Sequence, residues 1–92
     1  MRAYSFDLIK SERNFLLRGI DFEIVVDFEW GSALILQDLR QDYFEDRFQA
    51  LGFIGEHLHM LVFTPREGLI HVISLRRANQ RERKRYAAQT QS

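Results

Sequence analysis

The sequence predicts an α+β fold of one domain spanning residues 1–92, with an antiparallel sheet of about four strands, two N-terminal helices and one C-terminal helix. Three observations carry this. Residues 46–54 (DRFQALGFI), 57–64 (HLHMLVFT) and 69–76 (LIHVISLR) are strand-like runs whose connections are too short for anything but antiparallel neighbours. Ahead of them, Asp7 and Asp21 each stand where a helix N-cap belongs. Behind them, Asn79 and Glu82 have the spacing of a capping box, with Asn in place of Ser or Thr.

Taken in order, residues 3–6 (AYSF) read as a short first strand. The helix after Asp7 places Leu8, Glu12, Phe15 and Leu16 near one face and ends at Gly19, a residue suited to a left-handed C-cap. Asp21 caps a second short helix, FEIVVDF, with Phe22, Val25 and Val26 at helical spacing. Residues 29–32 (EWGS) break the chain, 33–38 (ALILQD) read as a strand and 39–43 (LRQDY) as a loop. Gly55 and Glu56 connect the next two strands, and 65–68 (PREG) are a turn with Pro early and Gly late. The final helix follows Asn79, and the tail AAQTQS frays. The expected order is β-α-α-β-β-β-β-α, with the helices on one face of the sheet.

A chain of 92 residues holds one modest core. Its apolar and charged fractions, 46% and 28%, are those of a globular protein rather than a disordered one. No apolar run reaches membrane-spanning length, and MRAYSFDLIK lacks the pattern of a secretion signal. The absence of cysteine removes disulfides and thiolate metal sites and fits a cytoplasmic protein. The zero net charge conceals an asymmetry. Residues 71–92 hold six Lys/Arg against one Glu, a net +5, whereas residues 1–70 hold seven against twelve Asp/Glu, a net −5. A basic end on an acidic body points to a polyanion at that end and suits a basic partner elsewhere.

Alternation along 69–76 puts Ile70, Val72, Ser74 and Arg76 on one face and Leu69, His71, Ile73 and Leu75 on the other. Arg76 thus ends a mainly apolar row, either as a solvated strand end or as an anion contact. Arg47 starts another strand, and two arginines from antiparallel strands can converge on one phosphate. Arg77, Arg81, Arg83, Lys84 and Arg85 are spread over the chain's basic end, where they either remain solvated or touch a nucleic-acid backbone. His57 and His59 share a face with Leu61 and Phe63, and His71 lies among apolar residues. All three histidines read as packed side chains sooner than as metal ligands or an acid–base pair. Trp30, Tyr43 and Tyr86 read as cover for the core sooner than as base-stacking platforms.

Several segments together resemble one family. ISLRRANQRERKRY resembles the I-S-A-R-x-A and E-R-x-x-Y that close BrnT toxins. FDLIKSERN is similar to their F-x-W-D-x-x-K-x-x-x-N, with Phe6, Asp7, Lys10 and Asn14 in place. GIDFE resembles G-V-x-F-E, DRFQALG resembles E-R-F-x-x-L-G, and FTPREG resembles the T-x-R turn. The resemblance covers about residues 4–86. It implies a RelE-like fold and a ribonuclease toxin of a type II toxin–antitoxin pair, one that cleaves RNA to stop translation. It implies no metal and no organic cofactor. The implied partners are RNA, a BrnA-like DNA-binding antitoxin, and operator DNA through the antitoxin complex alone.

RNA cleavage of this kind needs a base for the 2′-hydroxyl, an acid for the 5′-oxygen, and cations for the phosphate. Arg47 and Arg76 are the leading candidates for the cations, with Lys10 and Arg66 behind them. The acid and base are not evident. The chain departs from the family pattern at Leu17 and Arg18, where Lys-His is usual, and at Asp46, where Glu is usual. LRQDYFE also lacks the loop histidine. Two other readings therefore stand beside the toxin. One is a catalytically weak relative that serves mainly as an antitoxin-binding partner, and the other is a small nucleic-acid-binding module.

Overall fold

In a computed structural model, which describes residues 3–90, five strands form one sheet in the order β1-β5-β4-β3-β2. The elements are β1 (Tyr4–Phe6), α1 (Leu8–Arg18), 3₁₀ turns at Phe22–Asp27 and Trp30–Ser32, β2 (Leu34–Gln37), β3 (Phe48–Ile54), β4 (His57–Arg66), β5 (Leu69–Arg77) and α2 (Gln80–Thr90). The expected sheet of about four antiparallel strands is corrected on two counts. β2 to β5 are antiparallel, but β1 joins β5 in parallel, with Tyr4 opposite Ile70 and Phe6 opposite Val72. No turn links these partners, so no local signal announces the pairing.

The caps explain where the helices start and stop. The Asp7 carboxylate accepts from the amides of Ile9 and Lys10, and Gly19 closes α1 at φ 73°. Glu82 and Asn79 exchange side-chain and backbone hydrogen bonds of 2.8 and 3.0 Å, completing the capping box of α2. Instead of fraying early, α2 runs to Thr90, whose hydroxyl donates to Tyr86 O. The last two residues of the expected tail lie outside the described residues.

The second helix is a 3₁₀ turn. At three residues per turn, Phe22, Val25 and Phe28 fall on one side and are buried, while Val26 is exposed. Gly52 of β3 faces that side, where a Cβ would collide with the Phe28 ring. The β4–β5 turn is tighter than PREG suggested. It consists of Glu67 and Gly68, both at positive φ, while Pro65 and Arg66 belong to β4. Pro65 is tolerated because Ile70, opposite it, sends its N–H to Ala3 O, just ahead of β1. Pro65 is therefore in a pair without mutual hydrogen bonds, and its nitrogen faces the side where β3 has already ended.

The sheet has a core on each face. Phe22, Val25 and Phe28 pack on Ala50, Leu61, Phe63, Val72 and Leu75 on the first face. Tyr86 of α2, with Phe53 and Ile73, packs on Leu51, Leu58, Met60 and Val62 on the second. Helices therefore cover both faces rather than one. A bulge in β5 also changes the expected alternation. Val62 pairs with Ser74 and Phe63 with Val72, leaving Ile73 as the extra residue. Leu75 thereby joins Val72 on the first face, and Arg76 joins His71 and Ser74 on the second.

Candidate nucleic-acid interface

The second sheet face is where the cations meet. Phe48 pairs with Phe63, so Arg47 stands level with Thr64, which pairs with His71, which pairs with Ser5. These four residues form one row across the sheet. Thr64 Oγ1 donates to Asp46 O at 2.6 Å, fixing the loop before β3 to the row. The Ser5 hydroxyl and His71 Nδ1 are hydrogen-bonded at 2.8 Å. Arg66 is diagonal to His71 on the neighbouring strand, roughly 7–8 Å away between Cα atoms.

Electrostatics tie the surrounding charges to this row. Burial holds His71 below the ordinary histidine range, and the charges of Arg66 and Lys10 add to that, against Glu45 and Asp7. The Arg66 guanidinium donates to Glu45 at 2.6 Å and lowers its carboxyl, helped by Arg47 and His71. Arg47 lies over the Tyr43 ring at 4.1 Å, and its buried Nε has no hydrogen-bond partner. A buried donor without a partner on a cation is an uncommon feature in a folded chain and marks Arg47 among the described residues.

Arg76 lies further along the same face. Its Nη1 and Nη2 each donate to a Glu82 oxygen at 2.8 Å, a bidentate pair that holds Glu82 below the usual carboxylate range. Arg40 is close enough for its charge to oppose that of Arg76. At the end of β5, Arg76 and Arg77 line a cleft of about 420 Å³ with Arg18, Gly19 and Ile20. Arg18, one of the departures from the family pattern, therefore adds positive charge beside Arg76.

The expected convergence of Arg47 and Arg76 is corrected. They share a face, but lie four residues apart along the sheet and two strands apart, roughly 13 Å by 10 Å. They are spaced for two points on a strand of nucleic acid rather than for one phosphate. Lys10 and Arg66 fall near His71. Arg77, Arg81, Arg83, Lys84 and Arg85 are exposed along α2 and the strand end before it, with Arg83 donating to Ala78 O.

The aromatic residues have structural partners. Trp30 donates to the Tyr4 hydroxyl and sits edge-on to Phe28 and Phe63, and Tyr86 donates to Ser32 O against Phe53. His59 is buried with Nδ1 on His57 O, and burial lowers its pKa. Three features escaped sequence reasoning: the row containing His71, the approach of Arg40, and the Arg18 cleft. Only the first left a trace in the sequence, in the period-2 pattern that the bulge then shifted.

A net-neutral α+β domain that gathers arginines on one sheet face is built to meet a polyanion, and comparison with known families gives that class a name. The family model described as ribonuclease toxin, BrnT, of type II toxin-antitoxin system matches residues 6–82. The chain belongs to this family, whose type II character implies an antitoxin as its partner. No curated protein matches the chain.

Proposed function

We propose that the chain cleaves single-stranded RNA on the second sheet face and so blocks translation. The reading rests on one observation: Arg47, Arg66 and Arg76, from separate segments, stand on the face that carries His71, and the buried Arg47 Nε lacks a partner. In the proposed reaction His71, bonded through Nδ1 to Ser5, offers Nε2 as the base for the 2′-hydroxyl proton. The 2′-oxygen attacks phosphorus, the bond to the 5′-oxygen breaks, a 2′,3′-cyclic phosphate is left, and the 5′-oxygen takes a proton from water. Arg47, Arg66 and Lys10 stabilise the charge on the transferring phosphate. Arg76 and Arg77, with Arg81, Arg83, Lys84 and Arg85, hold the flanking backbone by charge. The bidentate bond to Glu82 leaves Arg76 with donors to spare.

The proposed partner is a BrnA-like antitoxin with a DNA-binding domain, through which alone the pair reaches operator DNA. A second reading, a weak enzyme that mainly binds the antitoxin, draws support from the engagement of Arg40, Arg66 and Arg76 with carboxylates. Cleavage of a single-stranded RNA by the purified chain, beside growth arrest on its expression, decides between them. The wild type is expected to cleave and to arrest growth, and a folded Arg47→Ala/Arg76→Ala variant to cleave at least about 100-fold more slowly. A soluble, folded wild type that does neither sinks the enzyme reading in favour of the second.

A further inference from the structure

α1 is attached to the body by polar groups. Ser11 is its buried residue, and its Oγ accepts from Phe22 N at 2.8 Å. Asn14 Nδ2 donates to Ile20 O and Leu75 O, both at 2.8 Å. The large apolar side chains beside these contacts stay in solvent, with Leu8 68%, Phe15 53% and Leu16 83% exposed. These three, together with Glu12, line a groove of about 440 Å³ whose far wall carries Asp21 and Glu23. No Lys or Arg lines the groove, and among the described residues none of these three carboxylates is in an ion pair.

An apolar floor with a carboxylate rim has a defined complement. We propose that this groove is the docking site for a basic amphipathic segment of the antitoxin, one whose apolar side chains fill the floor while Lys or Arg side chains meet Glu12, Asp21 and Glu23. The inference rests on the toxin–antitoxin reading and adds the surface and the chemistry of the partner. Other occupants fit less well. The rim repels RNA and anionic lipid. A second copy of the chain offers its basic helix α2, but QRERKRY carries one large apolar side chain, Tyr86, and that packs on Phe53. The groove is also separate from the arginine-bearing face, since α1 leans on the first face through Leu75. Antitoxin binding here leaves the cationic surface to be covered by another part of the same partner.

The test is co-expression of the tagged chain with its cognate antitoxin, comparing the wild type with Glu12→Lys/Glu23→Lys and with Leu16→Arg, each checked for a native thermal transition. The wild type is expected to co-purify with the antitoxin, with affinity falling as salt rises. Each variant is expected to lose about tenfold or more in affinity and to escape neutralisation, while arresting growth without antitoxin as the wild type does. Affinity and neutralisation unchanged in both variants overturn the proposal. So does a wild type that binds no antitoxin, or one that dimerises by itself and becomes monomeric in Leu16→Arg. A wild type that cleaves no RNA, yet loses its antitoxin with these substitutions, fails the enzyme reading and keeps the surface.

Discussion

Asp38 carries a buried carboxylate in a segment whose sequence, LRQDY and its flanks, shows turn formers and charge but no cap or periodicity. Its oxygens accept from Arg40 Nε at 2.8 Å, Arg40 Nη2 at 2.7 Å, the Arg40 amide and the Tyr43 hydroxyl. The Arg40 hydrogen bonds outweigh burial and lower the Asp38 pKa from 3.8 to about 2. A depressed acid adds stability that is fully present above its unfolded value and is lost as pH falls through its folded one. Asp38→Asn is therefore expected to cost about 1–2 kcal/mol at neutral pH. It should also flatten the fall in stability between pH 3.8 and about 2, as followed by urea unfolding. Glu45 and Glu82 are lowered in the same direction. The difference between variant and wild type isolates Asp38 from them.

The elements show where short-range signals suffice. Asp7, Gly19 and the Asn79–Glu82 box fix the helix ends because a cap satisfies backbone groups within four residues. The β3–β4 and β4–β5 hairpins were legible for the same reason. The bulge at Ile73 was not, since it is imposed by the packing of Leu75 under Phe22 and Val25 on the first face. The seating of Phe28 over Gly52 belongs to this scale too, because it joins a 3₁₀ turn to a strand in the middle of the sheet. Gly52→Ala is expected to cost about 1–3 kcal/mol. In a double-mutant cycle, Phe28→Leu should relieve part of that cost, so additive effects of the two substitutions in urea unfolding would show that the ring and the glycine are not coupled.

At the scale of the whole molecule, the proposed site exists because four elements meet: β1 brings Ser5, β5 brings His71, the β4 end brings Arg66 and the loop before β3 brings Arg47. Asp7, Lys10, Glu45 and Arg66 are the charged groups that bear on the ring. With its pKa held below the ordinary histidine range, His71 is neutral at pH 7 and able to take a proton. RNA cleavage should therefore rise with pH through that lowered value and level off near or below the ordinary histidine midpoint. His71→Asn should remove this limb from the pH–rate profile with little change in KM. A variant that keeps the limb assigns the base to another group.

The sequence by itself determined the α+β class, the caps, the hairpins and the family, because each is written in neighbouring residues or in ordered motifs along the chain. It also named Lys10, Arg47, Arg66 and Arg76 before any of them had a position. Tertiary structure alone decided which of these share surroundings. The parallel pairing of β1 with β5 set Ser5 on His71, the bulge turned Arg76 onto the face of Arg47, and sheet geometry kept those two arginines apart. The physical reason is range. Capping and turn chemistry act over a few residues, whereas Ser5 and His71 are 66 positions apart, and only the packing of both sheet faces brings them into contact.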